Sequence, residues 1–223
     1  MALIPRVTKI FSSNNISGSI IVVDDSSPDG TGDVVEEYSK RLKNIILVRR
    51  SEKLGLGSAY RTGFKEALSL GFEGIMEMDA DGQHDPLLIP EFVKRLGEGF
   101  DLVIGSRYVE GGEIGDWPFE RRLISKGASL FVRLLFRSRI KDPTSGYRIF
   151  SRKSLENINL TDLYSNGYTF QVEMAVRYEK MGFKVSELPI KFVERGVGKS
   201  KLGKLEMLRF FKEIVGLFLS SSH

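Results

Sequence analysis

With 223 residues, 41% of them hydrophobic and 28% charged, the chain has the size and composition of one globular domain with a substantial core. It contains no cysteine, which excludes disulfides and thiolate metal sites and fits a reducing compartment. A net charge of +4 is too weak to imply nucleic acid as a partner, but it suits anionic substrates or a membrane surface.

Short aliphatic runs read as buried strands at Ser19 to Val23, Asn44 to Val48, Gly74 to Met78 and Asp101 to Gly105. Helical patterns lie between them, near Asp33 to Leu42, Ser58 to Leu70 and Pro86 to Leu96. This alternation predicts an α/β fold, with a mostly parallel sheet flanked by helices. Past Gly105, a Gly-rich acidic loop leads to a long basic helix, about Phe119 to Arg137. A short strand near Tyr147 to Phe150, a helix near Tyr168 to Met181 and a strand from Lys184 to Ile190 follow. A Gly/Lys loop, Arg195 to Lys204, precedes the last amphipathic helix, Leu205 to Leu219. No run of apolar residues is long enough to span a bilayer, and nothing at the start resembles a signal peptide. The expected location is cytoplasmic, soluble or peripheral to a membrane.

Ligands of open α/β sheets gather beyond the carboxyl ends of the strands, and three polar clusters are expected there. They are Asp24-Asp25-Ser26-Ser27-Pro28-Asp29-Gly30, Asp79-Ala80-Asp81-Gly82-Gln83, and Gly105-Ser106-Arg107-Tyr108. Carboxylates at i and i+2 project to the same side of an extended backbone and repel unless a cation lies between them. Oxygen ligands without His or Cys suit Mg²⁺ or Mn²⁺, leaving coordination positions for water and phosphate. The bland alternative is a solvated Asp-rich turn before the helix near Pro86. At Asp29 the local reading, an Asx-turn or helix cap, is preferred.

Two other patterns carry no such chemistry. Gly55-Leu56-Gly57-Ser58-Ala59-Tyr60 resembles the start of a dinucleotide fingerprint but lacks the third Gly and follows the wrong strand. It is expected to be a tight turn and helix cap. Gly198-Lys199-Ser200 looks like the end of a phosphate-binding P-loop, yet Val193 stands where that motif requires Gly.

Taken in order, the clusters resemble family 2 glycosyltransferases. Trp117 through Ser125, Asp142-Pro143-Thr144-Ser145-Gly146-Tyr147-Arg148 and Arg195-Gly196-Val197-Gly198-Lys199-Ser200-Lys201-Leu202 narrow the resemblance to polyprenyl-phosphate sugar synthases of the dolichol-phosphate mannose synthase type. The resemblance runs from about Ile20 to Leu205. It implies an A-type glycosyltransferase fold and metal-dependent, inverting transfer of mannose from GDP-mannose to dolichyl or another polyprenyl phosphate. By the same resemblance, Asp79, Asp81 and Gln83 hold Mg²⁺ or Mn²⁺ against the donor diphosphate, and Asp24 and Asp25 bind the nucleoside. Arg107, Arg121 and Ser125 match acceptor-phosphate positions, the last two lying four apart on one predicted helix. Arg195 and Lys201 match a loop that closes over the donor and acceptor phosphates. One domain, 1–223, would comprise a nucleotide-sugar half (1–105) and an acceptor half (106–223) ending in the amphipathic helix. Lys126, Arg122 and Arg133 read as solvated surface charges.

A lipid-linked acceptor also requires contact with a membrane surface. The helix around Leu123, Ala128, Phe131, Leu134 and Leu135 and the last helix, with Leu208, Phe211, Ile214, Val215 and Phe218, have the basic or amphipathic character of interfacial helices. The same stripes fit core faces or a dimer contact. The chain departs from the family pattern at its start, where a strand and a Pro-Thr-Tyr-Asn-Glu turn are absent and Pro5 to Phe11 reads as the helix that follows them. An N-terminal truncation that removes an interior strand is the expectation. The last stretch lacks the transmembrane segments that some relatives carry. Alternatives left open are UDP-glucose as donor, nucleotidyl or phosphoryl transfer, and a non-catalytic membrane- or partner-binding module.

Overall fold

The computed structural model describes residues 3–115, 117–165, 167–192 and 204–220. Helix α1 (Leu3–Ser13) is followed by β1 (Ile20–Asp24), α2 (Thr31–Arg41), β2 (Ile45–Arg49), α3 (Leu56–Ser69) and β3 (Gly74–Glu77). A 3-10 turn (Pro86–Leu88) runs into α4 (Ile89–Gly97), then β4 (Leu102–Ser106), β5 (Glu113–Ile114) and α5 (Phe119–Phe136). The rest comprises β6 (Arg148–Ser151), α6 (Arg152–Glu156), α7 (Thr169–Lys180), β7 (Val185–Pro189), β8 (Lys191–Phe192) and α8 (Lys204–Ser220). Each strand and helix expected from hydrophobic periodicity is present, with ends displaced by one or two residues. Local chemistry explains several boundaries. Asp85 accepts the Leu87 N–H and Pro86 occupies the first turn, where no N–H is needed. Ser151 caps α6 through the Ser154 N–H.

Among the described residues the strands form three sheets. β1 and β2 pair in parallel, β3-β6-β4-β7 form a four-stranded sheet, and β5 pairs with β8. β6 is antiparallel to both β3 and β4, whereas β4 and β7 are parallel. The expected single, mostly parallel sheet is therefore divided between β1 and β3, and β6 runs against its neighbours. Helices bridge the division on both sides. α3 packs against β1 and β3. From α1, Ile4 joins Val35 and Ile45, while Val7 and Ile10 join Ile89, Met76 and Met78.

The main core gathers Phe64, Leu102, Ile104, Phe150, Leu155, Phe170 and Tyr178. α7 is buried almost all round and is the central helix of the layer rather than a surface one. α5 and α8 close over it through Val132, Val172, Val176, Ile214 and Leu217. The stripes on these two helices divide accordingly. Phe131, Leu135 and Ile214 face the core, while Phe119, Leu123, Leu130 and Leu134 on α5 and Leu208, Val215 and Leu219 on α8 stay exposed. Among the described residues no helix is long and apolar enough to cross a membrane.

Candidate active site

The three polar clusters stand where β1, β3 and β4 end, and buried side chains tie them together. After β1, Asp24 is buried and accepts the Ser27 N–H at 3.3 Å. A Cβ on Gly32 would meet its Oδ2 at 2.5 Å, so the α2 backbone is packed against this carboxylate. Asp29 accepts the Thr31 N–H, a local Asx contact that lowers its pKa, chiefly through hydrogen bonds with Thr31. Asp25 forms a bidentate ion pair with Arg50, at 2.6 and 2.8 Å. The other end of that guanidinium donates to Ser58 Oγ at 2.7 Å, which links the first cluster to the start of α3.

That helix start also reaches the second cluster. Tyr60 donates its phenol O–H to Asp79 Oδ1 at 3.1 Å, and burial beside Asp79 raises its pKa. Gly55, with φ of 91°, makes the turn into α3. Gly57 lets the helix approach Ser165, whose carbonyl would lie 2.8 Å from an added Cβ. The Gly55–Tyr60 pattern is thus a turn and packing element. Asp81 is exposed and accepts the Gln83 N–H at 3.0 Å, whereas Gln83 itself is buried. The Asp79 N–H donates to His84 Nδ1 at 3.1 Å, and burial keeps the His84 pKa low, favouring the neutral ring that can accept this bond. His84 stacks on Tyr147, which anchors the turn by donating to the Asp85 carbonyl at 2.9 Å.

Asp79 and Asp81 fit a hard divalent ion. Both are oxygen donors at a strand end, Asp81 is exposed, and Asp79 has a second oxygen beyond the one Tyr60 engages. Among the described residues no group of three His, Cys, Asp or Glu side chains forms a closed metal cage. Two carboxylates without a cage suit an ion that shares its coordination sphere with substrate phosphates.

Beneath Asp79, Glu77 is fully buried and burial pushes its carboxyl up to about 8, although the Arg148 guanidinium pulls the other way from 3.7 Å. Arg148 is itself fully buried and donates to three carbonyls, those of Pro143, Ser145 and Gln171, each at 2.7 Å. It clamps the segment from Asp142 to Arg148 between the second and third clusters.

In the third cluster Arg107 is held by Asp142, which accepts its Nε and Nη2 at 2.7 Å and its backbone N–H at 3.0 Å. Thr144 Oγ1 accepts Nη2 at 2.8 Å. Burial works against the charged guanidinium, but Asp142 more than offsets it and the Arg107 pKa moves up. Asp142 moves down for the reciprocal reason, against its own desolvation. Arg107 therefore enters the site already neutralised by a buried carboxylate. Ser125 accepts the Tyr108 O–H at 2.7 Å, and the Arg121 guanidinium lies 3.7 Å over the Trp117 ring. Arg107, Tyr108, Trp117, Arg121 and Ser125 thus form one neighbourhood. Arg195 and Lys201 lie outside the described residues. The segment from Asp142 to Arg148 was recognised in the sequence, but its structural task was not, because the Arg107 to Asp142 pairing spans 35 positions.

A cavity of about 420 Å³ opens between the Arg107 to Gly112 loop and α5, with Lys126, Arg133 and Lys141 on its wall. Two of these, Lys126 and Arg133, read as plain surface charges from the sequence. A larger cavity, about 620 Å³, lies by Arg137, Glu179 and the start of β7, at the opposite end of that strand from the clusters.

Comparison with known proteins agrees with this fold. The model of the family described as Glycosyl transferase family 2 matches residues 13–158. An undecaprenyl-phosphate mannosyltransferase of Micrococcus luteus is 42% identical over 183 residues, 82% of this chain and 75% of that protein. A polyprenol monophosphomannose synthase of Mycolicibacterium smegmatis is 43% identical over 184 residues, 82% of this chain and 69% of that protein. Among solved structures, mannosyl-3-phosphoglycerate synthase from Rubrobacter xylanophilus superposes with a TM-score of 0.66 at 17% identity, covering 97% of this chain and 68% of that one. Glucosyl-3-phosphoglycerate synthase from Mycobacterium tuberculosis, in complex with Mn²⁺, UDP-glucose and phosphoglyceric acid, gives 0.61 at 18% identity, covering 96% and 74%. At these identities the solved structures speak to the fold alone. The sequence match, the A-type glycosyltransferase architecture and the carboxylate motif after β3 converge: the chain belongs to glycosyl transferase family 2 and is a glycosyltransferase.

Proposed function

We propose that this glycosyltransferase moves mannose from GDP-mannose to a polyprenyl phosphate, dolichyl phosphate being one such acceptor, with inversion at the anomeric carbon. The observation that carries the reading is the single segment from Asp142 to Arg148, which ties the open Asp79/Asp81 pair to the cationic loop at Arg107. A donor diphosphate and an acceptor phosphate are the two anions such an arrangement would bring together. The mannosyl-transferring names of the relatives at 42% and 43% identity support the sugar and the lipid acceptor.

The acceptor phosphate is already an anion, so no side chain has to generate the nucleophile. One phosphate oxygen forms the bond to the anomeric carbon while the bond from that carbon to the diphosphate oxygen breaks. The electron pair leaves with the nucleoside diphosphate. Asp79 and Asp81, with Gln83 nearby, would hold Mg²⁺ or Mn²⁺, which when bound would supply charge neutralisation at the leaving diphosphate. Asp24 and Asp25 serve the nucleoside end through the strand terminus they stabilise. Arg107, Arg121 and Ser125 orient the acceptor, with Arg195 and Lys201 assigned to the loop over both phosphates. In this reading residues 1–105 handle the donor and 106–223 the acceptor, and the protein works at a cytoplasmic membrane surface through the exposed apolar residues of α5 and α8.

Isothermal titration of GDP-mannose, with and without Mn²⁺ and in parallel with UDP-glucose, tests the donor. Metal-dependent heat with GDP-mannose and none with UDP-glucose is expected. Metal-dependent binding of UDP-glucose alone overturns the donor assignment. Binding of neither donor, or release of pyrophosphate rather than a nucleoside diphosphate during turnover, overturns the function.

A further inference from the structure

The cavity beside α5 has the chemistry of an anion site that the residues named so far do not account for. Lys126, Ser129 and Arg133 stand at i, i+3 and i+7 and share one face of the helix, and Lys141 adds a fourth cation to Arg107. Among the described residues no carboxylate lines the cavity. Among the described residues no side-chain ion pair involves Lys126, Arg133 or Lys141, whose nearest carboxylate contact is the Lys141 backbone N–H to Glu187, in contrast to Arg107, Arg49, Arg50 and Arg177, which are all bound to carboxylates through their guanidinium groups. Two polar atoms on this wall are buried without a hydrogen-bond partner, Ser129 Oγ and Arg133 Nε. Ser129 is only 2% exposed and sits beside the Tyr108 phenol, whose O–H is already committed to Ser125. A buried donor without a partner costs free energy that a ligand acceptor recovers.

Like charges gathered in a partly enclosed space repel unless an anion joins them. The same helix carries exposed Leu123, Leu130 and Leu134, so the cavity opens next to an apolar row that suits acyl or isoprenoid chains. A ligand with a phosphate head and an apolar tail matches both features.

We propose that this cavity is a phosphate-group site for a lipid-borne phosphate, with Lys126, Arg133 and Lys141 as its cations and Ser129 Oγ as its buried hydroxyl. The site is adjacent to, and distinct from, the Arg121 and Ser125 positions one helical row away. The shared chemistry is a tetrahedral phosphate on an apolar chain, either a polyprenyl phosphate monoester held next to the acceptor position at Arg121 and Ser125 or the diester headgroup of an anionic bilayer lipid. Only the first of these rests on the transfer function proposed above.

The test measures binding of two probes, soluble farnesyl phosphate and phosphatidylcholine vesicles containing phosphatidylglycerol, to the full chain. The variants are K126Q, S129A, the double variant K126Q/R133Q and a distant control, K65Q. Lys126 is exposed and S129A removes only a small hydroxyl beside the Tyr108 phenol, whose own bond to Ser125 remains, so K126Q and S129A leave the fold intact even where the double variant does not. For at least one probe, loss of a cation is expected to weaken binding roughly tenfold or more, with K65Q unchanged and pure phosphatidylcholine indifferent to all variants. Loss confined to farnesyl phosphate assigns the polyprenyl phosphate monoester, and loss confined to phosphatidylglycerol assigns the bilayer headgroup. Binding of both probes unaltered in K126Q and S129A, or weakened equally by K65Q, overturns the site. A mannosyl-transfer assay on the wild type is read separately. Transfer with variant-insensitive binding removes the site and keeps the function, whereas variant-sensitive binding without transfer does the reverse.

Discussion

Asp142→Asn probes the joint on which the third cluster depends. The Asp142 carboxylate is fully buried and accepts three bonds from Arg107 and one from Thr144 Oγ1 at 3.0 Å. The amide keeps one acceptor but turns an NH₂ toward guanidinium donors, leaving a buried cation without its counter-charge. Breaking a buried ion pair from one side costs about 3–5 kcal/mol, which in a domain of this size lowers Tm by roughly 6–20 °C. Thermal unfolding followed by circular dichroism, with urea titration at 25 °C, reads the effect. A cycle with Arg107→Met, Asp142→Leu and the double substitution should show the two single costs failing to add, because the apolar pair removes both charges together. The pH dependence has a fixed sign. Asp142 is held below the usual carboxylate range, so its contribution is present above about pH 4 and is lost as pH falls through its lower folded value. The penalty of the Asn variant should therefore shrink in acid. A Tm within about 2 °C of wild type at pH 7, or additive single effects, would refute the reasoning.

Glu77→Gln tests the buried carboxyl under the second cluster. With its pKa raised to about 8, the folded state retains a proton that the unfolded chain releases, so wild-type stability should fall between about pH 4.5 and 8. The slope approaches 1.4 kcal/mol per pH unit, and the Gln variant should lose that component in metal-free urea titrations. Tyr60→Phe removes the hydrogen bond that orients Asp79 and should weaken Mn²⁺-dependent donor binding by roughly 10- to 100-fold while Tm changes little. Titration calorimetry checks it, and unchanged binding would disconnect Tyr60 from the metal motif. Gly57→Ala places a methyl 2.8 Å from the Ser165 carbonyl and should cost about 1–3 kcal/mol in chemical denaturation, although helix propensity alone favours Ala.

Hydrophobic periodicity and turn residues made the strand and helix positions readable, because each element is mostly decided within its own stretch of sequence. Direction and pairing depend on contacts far apart in the chain. Nothing within Arg148–Ser151 says that this strand runs antiparallel between β3 and β4. The two-residue pair Glu113–Ile114 with Lys191–Phe192 is too short for any period to register. The carboxylate pair can be singled out from sequence because its chemistry is local, two carboxylates separated by one residue. The cationic side was legible only in part. The sequence resemblance places Arg107 among the acceptor-phosphate positions, but the carboxylate that holds it lies 35 positions downstream. Lys126 and Arg133 read as surface charges, since only the fold brings the Arg107 loop and Lys141 to the same cavity.

This distribution of charge separates cations that hold the fold from cations that face a cavity. Arg148 spends its three nitrogens on carbonyls and Arg107 spends its guanidinium on Asp142, so both act first as structural cations that fix the geometry of the strand ends. Lys126, Arg133 and Lys141 have no such carboxylate partner among the described residues and retain more of their field for a ligand. A cation already neutralised by a buried carboxylate gains little from a second anion, whereas an uncompensated group gains the full interaction. Phosphate affinity on this face should therefore follow the unpaired lysines and arginine of α5 and its following loop more steeply than it follows Arg107, while stability should follow Arg107 and Arg148.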